Sequence, residues 1–444
     1  MAGRSAGAAI KYLTNKKMKT TKLFLAVMVF IAVKSYAQQS VVMDMPTESY
    51  AVNTKVSGNI NLSTEVPLTQ ESNAEKSKTL SKSFSVDVND KVNLNNKYGA
   101  VTIKTWDKKE VKIDIDIKAY SNSDNEAQKM MDAVTIDANK NGDMITVKTN
   151  MSERSGRYGH GVKNGVITWR REVKINYVVY MPATNSLTVS QQYGNEEVGN
   201  FNGPTSLKVQ YGNLVAGNLN NSNNYVNVQY GKCDIQELNA GVVNHSYNGP
   251  VNIGSAGTLE LDAEYVGVNI NTIRRSADLK IQYGKGLTVG TIGGNLLLNA
   301  EYAKVNINTV KGNAVVKQAY GDLNVASSGK IAVDAEYSNV TLGTVNGDAN
   351  ISMDYNRLSI SEITPACKNF TFAGEYVGVG IGFAERYNGN FNVSTSYAGF
   401  KFGTNVSSSL TSRDDEEKRY SGKIGSGGSG NVNIKTSYGS VTFK

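Results

Sequence analysis

A tyrosine recurs at steps of 17 to 19 residues along much of this chain of 444 residues. The regular series consists of Tyr193, Tyr211, Tyr230, Tyr247, Tyr265, Tyr283, Tyr302, Tyr320, Tyr337 and Tyr355. Such a period means that one small unit is repeated, and each unit can bury its apolar side only against its neighbours. The period therefore predicts a long rod of stacked coils rather than a globule.

Hydrophobic spacing within one unit predicts a strand, a corner and a second strand. The residue four places before each tyrosine is apolar, as in Leu279 and Leu298. After the tyrosine the apolar positions lie three and five residues on, so the alternation shifts by one residue. We expect the chain to turn there, with glycines such as Gly212 and Gly321 directly after the tyrosine supplying a permissive backbone. The tyrosines share the parity of the core face, so we expect them to line an interior corner and to stack.

Coils of about 18 residues with short strands and tight turns predict an all-β fold, the β-solenoid, in which each strand pairs with its copy in the next coil. From Tyr193 to Tyr438 there is room for about thirteen coils, hence a rod on the order of 60 Å. Steps of 21 residues to Tyr376 and to Tyr397 predict small outward loops. The main alternative is a meander of antiparallel hairpins, although hairpins do not require the same residue at every eighteenth position.

The chain divides into four segments. Residues 1–37 have the basic start, apolar run and small-residue cleavage site of a signal peptide, with Met18 as an alternative start. Residues 38–83 are polar and predict low order. Residues 84–182 predict a β module that caps the first coil and contains one helix, from Ser123 to Val134. The repeats fill residues 183–444, with a charged, glycine-rich insert near 404–430 that we expect to protrude rather than to cover the last coil.

The net charge of +8 does not indicate nucleic-acid binding. Seven basic residues and no acidic ones lie in residues 1–37, and the remainder has 40 basic against 39 acidic residues. After signal cleavage no transmembrane helix is expected, because the apolar run is about half the roughly 20 residues that span a bilayer. The expected location is exported: the periplasm, the outer membrane surface or the extracellular space.

The sequence has few residues suited to catalysis. His160 lies in a glycine-rich stretch that predicts a solvated loop, and His245 lies in a core column, where we expect a hydrogen-bonded, partly buried side chain. Cys233 occupies an apolar column, and about seven coils, or roughly 34 Å, separate it from Cys367. A disulfide requires Cα atoms closer than about 7 Å, so we expect two free thiols. No cofactor is expected.

Acidic residues directly before the tyrosine form an outward column, namely Glu264, Glu301, Glu336, Asp354 and Glu375. The last three come from consecutive coils, about 5 Å apart, so Glu336, Asp354 and Glu375 are weak candidates for a calcium site or a glycosidase pair. The simpler interpretation is a solvated polar edge, because no basic cluster accompanies these acids. We therefore assign no catalytic residue and no metal site.

Two segments resemble a known family. Lys97 to Asp107 and Tyr177 to Pro182, together with the Tyr-Gly coils after them, are similar to the bacterial putative adhesin family of exported β-solenoids, common in Bacteroidetes. The likeness covers residues 84–444. It implies a right-handed β-helix-like fold in the cell envelope, and the family provides no catalytic residues to transfer.

These observations predict an exported, non-enzymatic protein with an adhesin-like interaction or scaffold surface at the bacterial envelope. Its partner would be an unknown surface ligand, a glycan or a protein, and the strand edges leave self-association open. Two alternatives remain. One is a carbohydrate-active β-helix enzyme, a glycosidase or polysaccharide lyase that uses the acidic column, and the other is a structural envelope spacer.

Overall fold

A computed structural model describes residues 74–152, 158–163, 166–414 and 416–444. All of them belong to one compact unit that spans residues 69–444. The expected signal peptide, residues 1–37, and most of the polar segment 38–83 lie outside the described residues.

The described chain consists of strands and one helix. The elements are β1 (Ala74–Ser85), β2 (Lys91–Lys97), β3 (Val101–Trp106), β4 (Glu110–Ser121), α1 (Asp124–Asp132), β5 (Val134–Asn141), β6 (Met144–Met151), β7 (Gly159–Lys163), β8 (Val166–Pro182), β9 (Ser186–Gln192), β10 (Glu196–Val198), β11 (Thr205–Gln210), β12 (Leu214–Leu219), β13 (Asn224–Gln229), β14 (Cys233–Ser246), β15 (Val251–Glu264), β16 (Gly267–Ile273), β17 (Ala277–Gln282), β18 (Gly286–Ile292), β19 (Leu296–Glu301), β20 (Val305–Val310), β21 (Ala314–Ala319), β22 (Leu323–Ser328), β23 (Ile331–Val345), β24 (Ala349–Ile363), β25 (Asn369–Phe383), β26 (Gly389–Ser396), β27 (Phe400–Phe402), β28 (Val406–Arg413), β29 (Glu417–Ile424), β30 (Gly430–Ser437) and β31 (Val441–Phe443).

Consecutive coils of the repeat region pair their strands in parallel. Before the corner, β17 pairs with β19 and places Leu279 beside Leu298. After the corner, β18 pairs with β20 through Leu287 and Val305. The expected β-solenoid is therefore confirmed, and the antiparallel meander is wrong for these coils.

The core is a set of apolar columns with one side chain from each coil. In one column Leu261, Leu279, Leu298 and Val316 occupy successive coils, and each is buried. Full burial of such a side chain contributes about 1.5–3 kcal/mol. Because the neighbours of each side chain come from the adjacent coils, a single coil could not bury its own apolar face.

The N-terminal cap contains the first coil of the solenoid. Strands β2 and β3 form this coil and stack in parallel on β9 and β10. On the opposite side β6 pairs with β2, and β8 pairs with β3. Antiparallel pairs of β1 with β4, β4 with β8, and β5 with β6 complete the cap. The boundaries expected from the sequence need correction, because β1 begins at Ala74, inside the segment expected to have low order.

The expected helix is present as α1 and ends at Asp132 rather than Val134. The Ser123 hydroxyl accepts a hydrogen bond from the backbone N–H of Glu126 at 3.3 Å, as an N-cap residue does. Ala127 and Met131 form the buried side of the helix, which packs against β1 and β4.

The charged insert folds over the C-terminal end of the solenoid. Strands β28 and β29 form an antiparallel hairpin, and β29 pairs antiparallel with β26. The expected protrusion is wrong. Charge and glycine content indicate exposed side chains, but they do not tell whether the backbone pairs, and an uncovered strand edge invites aggregation.

The last two strands of the sequence are not the last in the stack. Strands β30 and β31 lie between β25 on one side and β26 with β27 on the other, parallel to both. The tyrosine rings follow the same order, Tyr376, Tyr438 and then Tyr397. The step from Tyr376 to Tyr397 therefore crosses two coils, and the outward loop that we expected there is wrong.

Candidate interaction surface along the tyrosine corner

The repeated tyrosine itself makes the turn at each corner. The fourteen tyrosines that stack along the described coils all have φ between 49° and 67°, a left-handed conformation that favours glycine and asparagine. They are Tyr98, Tyr193, Tyr211, Tyr230, Tyr247, Tyr265, Tyr283, Tyr302, Tyr320, Tyr337, Tyr355, Tyr376, Tyr438 and Tyr397. We call this set the tyrosine corner.

The glycine after the tyrosine serves a different purpose from the one we expected. Gly194, Gly212 and Gly231 are not among the residues with positive φ. A Cβ on Gly212 would overlap the carbonyl oxygen of Gly194 in the preceding coil, and Gly231 has the same relation to Gly212. Glycine is therefore required because successive backbones approach too closely for a side chain.

The tyrosine rings form a continuous stack on the outside of the coils. Neighbouring ring centroids are 4.5 to 5.4 Å apart, and the ring planes differ by at most 17°. Twelve of the fourteen residues are 39% to 54% exposed. The expected stacking is confirmed, whereas the expected interior position is wrong. A residue in the left-handed conformation points its side chain away from the face that the alternation along an extended strand would predict.

Stacking limits the contacts that a ligand can make. Each inner ring has a neighbour on both faces, so a sugar cannot stack on it as on an isolated aromatic platform. The accessible parts are the ring edges and the hydroxyl groups, repeated once per coil. The tyrosine corner is therefore a regular row of phenol groups rather than a series of separate sites.

The left-handed conformation has an energetic cost at every corner. A residue with a Cβ costs roughly 1–2 kcal/mol in this region, and asparagine adopts it more readily. Asn248 and Asn356 adopt it directly after two of the tyrosines. A stacked aromatic pair contributes about 0.5–1.5 kcal/mol, which offsets the cost without a large surplus. The repeated use of tyrosine thus indicates that the ring itself is needed.

The acidic column runs directly beside the tyrosine corner. In register the positions before the tyrosines are Glu264, Gln282, Glu301, Ala319, Glu336, Asp354 and Glu375. The last three occupy consecutive coils and are exposed. The structure thus brings these acids together in the expected order, on an open edge. Their use for a metal or for catalysis stays a prediction.

Two of the phenols beside the acidic column, Tyr283 and Tyr355, have a raised pKa. Glu301 is the main cause that raises the pKa of Tyr283. The pKa of Tyr355 is raised first by its hydrogen bond with Tyr337, and the charges of Asp354 and Glu375 add to this. A nearby negative charge disfavours the phenolate, so these hydroxyls remain hydrogen-bond donors.

A shallow basic cleft of about 450 Å³ opens on the other side of the tyrosine corner, next to Tyr265. It exists where Gly267 and Gly286 supply no side chain. The exposed Lys285 and Lys304 line it, and its lining contains no carboxylate. A ligand at this part of the corner would therefore meet acids on one side and lysines on the other.

The acidic candidates lie on an open surface of the described chain rather than in a cluster of metal ligands. Within it, no group of three or more His, Cys, Asp or Glu side chains could hold a metal ion. A glycosidase pair must flank a bound sugar, usually within a concave pocket. Glu336, Asp354 and Glu375 instead lie on an exposed edge.

The two histidines have structural surroundings. His160 lies on β7 rather than in a loop, and its Nδ1 is 3.5 Å from the carboxylate of Glu172. His245 is 2% exposed, between Val228 and Ala263 in its column, and its ring nitrogens make no hydrogen bond of normal geometry. Burial lowers the pKa of His245, and nearby backbone groups oppose this only in part. We expected a hydrogen-bonded, partly buried histidine here, and this is wrong, because the side chain is fully buried and its ring nitrogens have no partner.

Both cysteines are buried free thiols, as expected. Cys233 lies between Leu214 and Val251 in the core column after the corner. Burial raises the pKa of Cys233 and raises that of Cys367 to about 11. A buried thiol with a raised pKa forms little thiolate, so neither cysteine resembles a nucleophile.

The sequence analysis missed two buried acids, Asp90, which pairs with Lys140, and Glu196, which has no partner. Glu196 lies in the same core column as Cys233, between Val101 and Leu214, and it is 1% exposed. Neither carboxylate oxygen has a hydrogen-bond partner, and burial raises the pKa of Glu196 well above its ordinary value of 4.5. The signal was present, because Glu196 stands three places after Tyr193, where other coils have leucine or valine.

The fold defines the described chain as a β-solenoid, and several solved structures resemble it at low sequence identity. No protein-family profile and no curated protein matches the chain. A "putative cell adhesion protein" from Clostridium sporogenes is 11% identical, covering 83% of this chain and 99% of that one, with a TM-score of 0.13. A "putative lipid binding protein" from Parabacteroides distasonis is 12% identical, covering 68% and 92%, with a TM-score of 0.20. A "putative adhesin" from the same species is 14% identical, with the same coverage and a TM-score of 0.17.

The described residues include no helix that is long and apolar enough to cross a membrane.

Proposed function

We propose that this protein is an exported, non-enzymatic interaction protein whose tyrosine corner binds an extended ligand at the bacterial envelope. One observation carries the proposal. Fourteen tyrosines of the described chain adopt a costly backbone conformation, and most of them keep about half of their surface in solvent. A ring that served only the core would be buried.

The chemistry of the surface favours a polar, elongated partner such as a glycan or a protein segment. Phenol hydroxyls donate hydrogen bonds, and the carboxylates of Glu301, Glu336, Asp354 and Glu375 accept them. The same groups recur from coil to coil, so a long ligand can make many weak contacts at once. Linked contacts of this kind raise the overall affinity without a deep pocket.

Export is part of the proposal, because a surface ligand is reached only outside the cytoplasm. It rests on the signal-peptide pattern of residues 1–37. N-terminal sequencing of the mature protein from its native cells should begin at Gln38. A mature protein that retains these residues would contradict this step.

The binding proposal is tested with a glycan and matrix-protein array and the chain from residue 38 to 444. The test variant combines Tyr283→Asn, Tyr302→Asn and Tyr320→Asn, because asparagine tolerates the left-handed backbone. The control variant combines Asn324→Ala and Thr341→Ala on the outer face after the corner. We expect ligand binding that the tyrosine variant loses and the control retains.

Other outcomes distinguish the alternatives. Complete absence of binding on the array would contradict adhesion and favour a structural spacer. Binding that survives the tyrosine substitutions would place the ligand elsewhere on the protein. Glycan cleavage that disappears in Glu336→Gln with Asp354→Asn would favour a carbohydrate-active enzyme.

A further inference from the structure

The C-terminal strands occupy a slot that two earlier parts of the chain create. We use the term strand slot for the space between β25 and the pair β26 and β27, which β30 and β31 fill. Strand β30 is in register with β25 at seven positions and with β26 at eight. Both backbone edges of the inserted strand are therefore hydrogen-bonded, as in a central strand of a sheet.

The side chains of the inserted segment complete the local core. Val432, Ile434, Val441 and Phe443 are each at most 3% exposed. The ring of Phe443 makes edge contacts with several aromatic rings of the flanking coils, at centroid distances of 4.9 to 5.4 Å; these are Phe383, Phe391 and Phe400. Tyr438 also completes the tyrosine corner, because its ring stacks on Tyr376 and Tyr397.

The connection between β25 and β26 spans the position that the inserted strand β30 occupies. Residues 384–388 connect β25 to β26 across the width of the strand slot, and Tyr387 in this connection is buried. A Cβ on Gly430 would collide with the Tyr387 hydroxyl, so the inserted strand starts with a residue that fits against this side chain. The slot is thus bordered by residues 369–402, and residues 430–444, which come later in the chain, fill it.

A glycine-rich hinge connects the inserted segment to the covering hairpin. Residues 425–429 read Gly-Ser-Gly-Gly-Ser, and Gly425 and Gly427 have φ of 61° and 77°. Five extended residues reach at most about 17 Å, which exceeds three strand spacings. The segment can therefore leave its own slot without disturbing the hairpin that precedes it.

We propose that the strand slot is an acceptor site for residues 430–444 of a second copy of this chain. Exchange of the segment replaces every backbone and core contact by the identical contact from the other copy, so the two arrangements differ mainly in the hinge and in chain concentration. The short hinge requires the two slots to lie close together, so exchange joins the copies at their C-terminal ends.

The test uses two variants of the full chain in which Cys233 and Cys367 are replaced by alanine, so that Ala373→Cys or Lys435→Cys supplies the single thiol. Ala373 and Lys435 are neighbours on β25 and β30, and both side chains are exposed. The variants are unfolded together, refolded in reductant and then oxidised. A disulfide between them forms only if the segment of one copy enters the slot of the other, because the thiols must come within disulfide distance.

The control mixture combines Ser352→Cys and Ala373→Cys, which are neighbours on the contiguous strands β24 and β25. We expect about tenfold more covalent dimer from the test mixture than from this control, since only the slot accepts a strand from elsewhere in the sequence. Deletion of Ser426 and Gly427 should increase it further, because a strained hinge favours exchange.

Two results would overturn the proposal. The first is a test mixture that yields no more dimer than the control. The second is a double variant, Ala373→Cys with Lys435→Cys in one chain, that fails to close its internal disulfide, because the slot geometry itself would then be wrong.

Discussion

Glu196 offers a quantitative test of the buried core, through the substitution Glu196→Gln. The carboxyl is enclosed between Val101 and Leu214 without a hydrogen-bond partner, and burial raises its pKa well above 4.5. The folded protein therefore holds a proton on Glu196 at pH values where the unfolded chain has lost it. Glutamine has a similar size and cannot ionise, so it isolates this effect.

The sign and size of the pH dependence of the free energy of unfolding follow from proton linkage. Below the ordinary pKa both states are protonated, and the wild type keeps its full stability. As the pH rises from there towards the folded pKa, the free energy of unfolding of the wild type falls by about 1.4 kcal/mol per pH unit from this group. The stability advantage of Glu196→Gln over the wild type should grow at the same rate.

The assay is urea unfolding at pH values between 5 and 8, with tryptophan fluorescence as the signal that monitors unfolding. Trp106 ends β3, the strand whose Val101 lies beside Glu196, so it reports on the coils concerned. The matched control is Glu197→Gln, because Glu197 is the exposed neighbour of Glu196 on β10. A stability difference for Glu196→Gln that stays constant with pH would refute the reasoning.

Two further predictions concern the corner and the thiols. Gly212→Ala should destabilise the protein by about 2 kcal/mol or more, because its Cβ would meet a backbone carbonyl. Gly378→Ala, with open space around it, should change stability by less than about 0.5 kcal/mol, and equal effects in urea unfolding would contradict this account. Cys233 and Cys367 should resist alkylation at pH 8 in the folded protein and react in urea, because both are buried with raised pKa values; rapid labelling of the native chain would count against it.

Much of the coil geometry could be predicted because the same residue pattern recurs in coil after coil. The apolar residue four places before each tyrosine and the parity shift after it predicted two strands and a corner, and the register of Leu279 with Leu298 confirms this. The prediction that the tyrosines point to the interior was wrong. Parity holds only along an extended strand, and a single left-handed residue breaks it.

The order and the exposure of the acidic column were predictable, whereas the exposure of the tyrosines and the burial of Glu196 were not. The acids before the tyrosines align as their spacing indicated, since each coil places one such position in register with the next. Glu196 was overlooked because one acid in an apolar column is a weak signal in a polar chain. Only the three-dimensional neighbours show that its carboxyl has no partner.

The sequence alone determined that this chain repeats a short unit, because a unit of about 18 residues can bury its periodic apolar face only against its neighbours. Tertiary structure decided which coil pairs with which at the end. Coils with the same residue pattern could pair with one another in any order. The insertion of residues 430–444 between β25 and β26 therefore depends on tertiary contacts, namely the covering of both strand edges and the packing of Tyr387. The outward turn of the tyrosines was likewise decided there, by the left-handed backbone conformation that each of them adopts.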